Sequence, residues 1–137
     1  MDDKTCCKSL QSGGPSPFDI VILGWYDGLK SGMASCRACG AAYHFEMLAW
    51  DSEHEMRIYG LRLVSRSSYE AIAALAAQAP PQPAHLRARL DEMALLVRDA
   101  LATSYEWSLY IRTTDLSKEV LAVKRIDFWA WHAILAL

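Results

Sequence analysis

Three of the four residues from Pro80 to Pro83 are proline, and this cluster rules out a continuous helix through the middle of the chain. Proline lacks the amide donor and pushes the residue before it out of helical geometry. Before the cluster, an alanine-rich run follows Ser67 and Glu70, which have the spacing of a capping box. After it, apolar residues recur every three or four positions. The pattern predicts two helices, over residues 67–79 and 84–103.

Runs rich in β-branched and aromatic residues precede the helical region and predict strands. The first extends over residues 18–23, and turn-forming pairs follow it at Asp27-Gly28 and Ser31-Gly32. Two further runs, over residues 43–50 and 56–64, are separated by a polar stretch. They predict a β-hairpin with a longer loop.

The sequence returns to a strand pattern after the helices. Apolar and polar residues alternate from Tyr105 to Arg112, as in a strand with one dry face, and Val120 to Ile126 can return as its hairpin partner. Strands, two helices and strands again predict an α+β fold. We expect a mostly antiparallel sheet of β-hairpins with the two-helix insertion packed on one face; the sequence leaves the strand order open.

The length of the chain predicts a single domain. With 137 residues, 53% of them hydrophobic, it can bury one core but not two. Residues 1–17 carry almost no bulky apolar side chain, so we predict a flexible N-terminal tail and one α+β domain over 18–137. The start lacks the pattern of a secretion signal, and no apolar run reaches the roughly 20 residues that span a bilayer. We expect a cytoplasmic protein without a membrane partner.

The charge of the chain argues against a nucleic-acid partner. The formal net charge is -2, so no basic excess draws the protein to a phosphate backbone. Arg57, Arg62 and Arg66 do alternate with Tyr59 and Tyr69, a composition typical of single-strand binding surfaces. A regular strand nevertheless places residues 57 and 62 on opposite faces. We therefore expect no nucleic-acid binding.

The motif C-x-x-C-G, formed by Cys36, Cys39 and Gly40, is the clearest chemical signal in the sequence. Two thiolates at this spacing can bind one tetrahedral ion, and a glycine in the next position allows the positive φ of a tight turn. The segment resembles one knuckle of a zinc ribbon. That resemblance covers five residues and implies a structural zinc ion held between short strands.

Two more ligands are needed to complete such a site, because no second C-x-x-C follows. The candidates are Cys6, Cys7, His44 and His54. The adjacent cysteines diverge in an extended chain and fall in the predicted tail, whereas His44 follows the knuckle directly. We therefore predict zinc ligands at Cys36, Cys39 and His44. A ligand from another subunit, or a metal-free cysteine pair packed in a turn, remains an alternative.

The same cysteine spacing also occurs in thioredoxin-like dithiols. Their reactive thiolate is activated at a helix N-terminus, whereas the residues after Cys39 have a strand pattern. A redox dithiol is therefore the weaker interpretation of the motif.

The last ten residues are apolar on every side when drawn as a helix, apart from His132. Such an element has to be buried all round, and a domain of this size rarely encloses a terminal helix completely. We predict contact with a protein partner or a second copy through Phe128, Trp129, Trp131 and Leu135. A central strand or core helix is the alternative reading of this segment.

These patterns predict a small soluble interaction or assembly module, stabilised by zinc at the knuckle. Signatures of phosphate-binding loops, zinc proteases and serine hydrolases are absent from the sequence. The alternative is a small-molecule-binding protein or an enzyme in which His44 and a nearby carboxylate transfer protons. Asp27, Glu46 and Asp51 are the carboxylates considered for that role.

Overall fold

A computed structural model describes residues 6–7, 18–26, 29–51, 53, 56–78, 82–104, 106–113 and 122–128. The elements in these ranges are β1 (Phe18–Tyr26), β2 (Leu29–Cys36), β3 (Ala42–Asp51), β4 (Met56–Val64), α1 (Arg66–Ala77), α2 (Pro83–Leu101), β5 (Leu109–Thr113) and β6 (Ala122–Asp127). The strands form one open sheet in the order β5-β4-β3-β2-β1-β6. The predicted α+β class is confirmed.

The first four strands are consecutive antiparallel neighbours, and β5 extends the sheet antiparallel to β4. The sixth strand joins the opposite edge, parallel to β1, where Phe18 pairs with Ala122. The predicted hairpin between β5 and β6 is therefore wrong. Both segments contain a strand, but local sequence could not indicate that the two strands lie at opposite edges of the sheet.

A strand also occupies the segment that Ser31-Gly32 marked as a turn. Gly32 lies in the middle of β2, opposite Ile22. A Cβ atom there would collide with the Val21 carbonyl oxygen and stand 3.0 Å from Cε1 of Phe45. This glycine permits close approach of neighbouring chain rather than a change of direction.

Both helices are confirmed, with a different cap on the first. Helix α1 begins at Arg66, and Oγ of its N-cap Ser65 accepts a hydrogen bond from the Ser68 amide at 3.1 Å. Ser67 is thus already inside the helix, and Glu70 accepts from Nε of Arg66 at 3.2 Å instead of closing a capping box. Helix α2 begins at Pro83, where the missing proline amide costs no hydrogen bond. Within the described helices, none is both long and apolar enough to cross a membrane.

The central strands are buried on both faces of the sheet. The helix face packs against α1 and α2, with core residues Val21, Met33, Ala42, Val64, Ile72, Leu75, Leu86, Leu90 and Met93. The opposite face, called here the cysteine face, contains Phe18, Ile20, Ile22, Cys36, Tyr43, Phe45, Tyr59, Leu61 and Cys7. Two buried faces explain why residues 20–22 form a continuous apolar run rather than an alternating one.

The tryptophan expected inside the fifth strand lies just before it. Trp107 precedes β5, and its ring occupies the space above Gly60, where a Cβ atom would be 2.6 Å from Cε3. The Arg62 guanidinium carbon lies 4.1 Å from the centre of this ring. The arginine therefore makes a cation–π contact within the protein itself.

Candidate metal centre

The C-x-x-C segment forms a tight turn between two neighbouring strands. Cys36 is the last residue of β2, and the turn that follows ends at Gly40, whose φ is +78°. The Gly40 amide donates to the Cys36 carbonyl at 2.8 Å, and the Cys36 amide donates to the Ala41 carbonyl at 2.8 Å. The positive φ expected of this glycine is confirmed.

The first residue of α1 holds this turn in place. Nη1 of Arg66 donates to Oγ of the buried Ser35 and to the Gly40 carbonyl, the latter at 3.3 Å. One guanidinium therefore joins the strand before the turn to the residue that closes it. The start of the helix and the conformation of the knuckle are set together.

Four cysteine sulfur atoms meet beside this turn. The Sγ atoms of Cys6, Cys7, Cys36 and Cys39 all lie within 4.8 Å of one another. The Cys7 and Cys39 sulfurs are 3.6 Å apart. A tetrahedral ion with Zn–S bonds of about 2.3 Å requires sulfurs about 3.8 Å apart, so this arrangement is close to a four-thiolate site.

Cys7 belongs to the core rather than to a free tail. Its side chain is only 1% exposed, its amide donates to Sγ of Cys36 at 3.4 Å, and its sulfur lies 3.5 Å from the Tyr43 hydroxyl. Its backbone is 3₁₀-helical rather than extended, so the divergence expected of adjacent cysteines does not apply. Apart from Cys6, the other residues of the predicted 1–17 tail lie outside the described ranges.

The thiols differ in how readily they ionise. Desolvation raises the pKa of Cys36. Hydrogen bonds from the backbone amides of Cys39, Cys7 and Ala38 have the opposite and larger effect, so that the pKa is lowered to about 7. Desolvation raises the pKa of Cys7 to about 12. Amides directed at a sulfur stabilise its thiolate and would offset the negative charge of a four-thiolate site.

The structure separates His44 from the cysteines. It pairs with Met33 on β2 and Arg62 on β4, and strand alternation places it on the helix face. It is 5% exposed, and desolvation together with the positive charge of Arg62 lowers its pKa to about 4. The group of neighbouring sulfur atoms therefore contains Cys6 and Cys7 and does not include the predicted third ligand. The one sequence signal for this was that the chain contains four cysteines.

The carboxylate nearest to His44 is the one two positions further along β3. Oε1 of Glu46 lies 3.8 Å from Nδ1 of His44, too far for a hydrogen bond. Asp51 ends the strand, and Asp27 lies outside the described residues. His44 and Glu46 therefore lie near each other on the helix face, away from the C-x-x-C motif, without a hydrogen bond between them.

The predicted interface is described at one position only. Phe128 is 2% exposed and belongs to the core of the helix face, so its burial is provided within the chain. Trp129, Trp131 and Leu135 lie outside the described residues.

Comparisons with protein-family models, with curated proteins and with solved structures give no match. The function has to be inferred from the site itself.

Proposed function

We propose that this chain is a zinc-stabilised domain in which Cys6, Cys7, Cys36 and Cys39 bind one structural zinc ion. The observation that carries the proposal is the convergence of four sulfur atoms within 4.8 Å of one another. Two of the cysteines belong to a C-x-x-C-G turn of the kind that binds metal ions, and the other two come from a distant segment of the chain.

The sulfur spacing favours a single ion over an iron–sulfur cluster. A cluster distributes its thiolates over two or more irons, and sulfurs bound to different irons stand further apart than those around one metal. A four-sulfur tetrahedral set favours zinc among mononuclear ions. Four protein ligands also leave no open position for water or substrate, which is typical of structural rather than catalytic zinc.

The ion would hold the segment around residues 6–7 against the cysteine face. Cys7 already contacts Tyr43 and Cys36 there. Zinc bound to both cysteine pairs would join this segment to the β2–β3 turn, and its binding energy would add to the stability of the fold. Cysteines present as thiols rather than as disulfides are consistent with a reducing compartment, and we propose the cytoplasm.

Metal content of the purified, untagged protein tests the proposal. We expect about one zinc per chain, and loss of that zinc in Cys7→Ser and Cys39→Ser variants. His44→Gln is the matched control and should retain the metal, since the residue lies on the other face. Iron in place of zinc, or a folded chain without metal, would contradict the assignment.

Cobalt substitution provides a readout that does not depend on stability. Co²⁺ in a tetrahedral four-thiolate site gives intense visible absorption and a sulfur-to-cobalt charge-transfer band. The spectrum should weaken with each cysteine removed and remain unchanged in His44→Gln. A spectrum of six-coordinate cobalt would exclude a four-sulfur site.

We also propose that the domain acts as an interaction or assembly module. The support is the apolar sequence from Trp129 to Leu137, together with exposed apolar side chains at Leu48, Ile58 and Tyr110. Light scattering of the full chain and of a Trp129→Ser/Trp131→Ser variant tests self-association. A monomeric full chain excludes self-association and leaves a different protein as the remaining partner.

A further inference from the structure

A cavity of about 400 Å³ lies between the sheet and α2, on the face opposite the cysteines. Its walls are mainly apolar and include Leu23, Leu90, Met93, Val97 and Phe128. Small-molecule sites are commonly this size, with apolar walls and a few polar groups. The proposed zinc site makes no use of this cavity.

An irregularity in β1 opens the sheet side of the cavity. The pairing of β1 with β2 shifts between Ile22 and Gly24, so that Leu23 and Gly24 both line the cavity. Gly24 contributes no side chain to fill it, and a Cβ atom there would be 2.9 Å from Oγ of Ser31. The space is thus produced by the bulge and the glycine together.

The polar side chains that line the cavity are those of Ser31, His44 and Arg98. His44 lines it while 5% exposed, and its Nδ1 has no hydrogen-bond partner among the described residues. Arg98 is the one formally charged residue among those lining the cavity. It is exposed, and its Nη2 contacts the Asp99 carboxylate at 3.5 Å. The cavity is therefore apolar inside with a positive charge at its rim.

We propose that this cavity binds a small amphipathic acid, with its hydrocarbon body between the sheet and α2 and its carboxylate at Arg98. Hydrocarbon matches the leucine, methionine and valine walls. A carboxylate is the group that a guanidinium recognises through paired hydrogen bonds. His44 lines the cavity, so the NMR signals of its imidazole ring should report whether the cavity is filled.

Decanoate is a suitable probe, added to the full chain with its metal bound. We expect saturable binding by calorimetry, with NMR shifts confined to the amides around the cavity and to the His44 ring. Decyltrimethylammonium, which has the same chain length and the opposite charge, should bind more weakly. Equal binding of the two amphiphiles, or no saturable binding of decanoate, would overturn the proposal.

A substitution that fills the cavity separates specific binding from general attachment to apolar surface. Ala94 lines the cavity from an exposed position on α2, so Ala94→Leu can add volume there without disturbing the core. We expect at least a tenfold loss of decanoate affinity. Ala88→Leu is the matched control, because this exposed alanine of the same helix does not line the cavity.

Substitution at the rim tests the recognition of charge. Arg98→Gln keeps a polar side chain of similar shape and should weaken decanoate binding about fivefold, as expected for an exposed ionic contact. It should leave binding of decyltrimethylammonium unreduced. Decanoate binding that is unaffected by both Ala94→Leu and Arg98→Gln would place the ligand elsewhere and refute this site.

Discussion

The sulfur atoms of Cys7 and Cys39 lie 3.6 Å apart although 32 positions separate the two residues along the chain. This contact joins the segment before β1 to the turn between β2 and β3. Closing a loop of this length costs conformational entropy, which two thiols in contact do little to offset. The shared zinc ion that we propose would supply the missing stabilisation, and its removal would have measurable consequences.

Removal of the metal should lower the thermal stability of the protein. Zinc at a thousandfold excess over its dissociation constant stabilises the folded state by about 4 kcal/mol. For a chain of this size that corresponds to a decrease in Tm of roughly 10 °C on chelation. Calorimetry with and without EDTA measures this decrease in Tm. A Cys36→Ser variant should show no response to EDTA, and an unchanged Tm in the wild type would contradict a structural role.

Helix α1 should depend on Ser65 and not on Ser67. Oγ of Ser65 accepts a hydrogen bond from the Ser68 amide, so Ser65→Ala should cost about 1 kcal/mol of unfolding free energy. Ser67→Ala, inside the same helical turn and exposed, should change stability by less than about 0.5 kcal/mol. Urea unfolding of both variants decides the matter, and equal effects would argue against the assigned cap.

Two glycines in the β1–β2 hairpin should respond differently to alanine. At Gly32 the new methyl group would meet the backbone carbonyl of Val21, which cannot move without breaking the sheet. We expect Gly32→Ala to lower the free energy of unfolding by about 2 kcal/mol or more. At Gly24 it would meet only the flexible end of the Ser31 side chain, so Gly24→Ala should be nearly neutral. Urea unfolding at neutral pH compares them, and a larger cost at Gly24 would contradict the described register.

Acid should destabilise the fold through His44. Its pKa falls from 6.5 to about 4 on folding because burial and then Arg62 disfavour the imidazolium. Between these values the unfolded chain binds a proton that the folded chain does not, so stability is constant above pH 6.5 and decreases as the pH falls. The free energy of unfolding decreases by about 1.4 kcal/mol at pH 5.5, and by about 3 kcal/mol once the pH is below both pKa values.

The comparison with His44→Gln isolates this effect from acid release of metal, which both proteins share. Urea unfolding at pH 7.5 and pH 5.5 should show a drop in wild-type stability that exceeds the drop in the variant by about 1.4 kcal/mol. Parallel pH profiles for the two proteins would show that the histidine does not titrate as described.

The sequence predicted those parts of the fold that depend on local patterns. The proline cluster separated α1 from α2, and the hairpin of β3 and β4 followed from two apolar runs around a polar loop. The N-cap was misplaced by two residues because several serines compete at that point. Gly32 was misinterpreted because a glycine that relieves crowding between strands has the same signature as one that forms a turn.

The candidate site was predicted in part for a similar reason. Cys36, Cys39 and Gly40 are close in sequence, so their spacing was sufficient to identify the knuckle. Cys6 and Cys7 approach it only through the folded sheet, and sequence distance made His44 the nearer choice. Strand alternation would have excluded the histidine, since the register puts it on the helix face.

The placement of β6 has a consequence for how the molecule is assembled. Phe18 at the start of β1 pairs with Ala122, about a hundred positions later. On a ribosome, β1 would emerge about a hundred residues before the strand that pairs with its second edge. Such long-range pairing slows folding, so the nascent protein would present an unprotected sheet margin to chaperones until β6 has been synthesised.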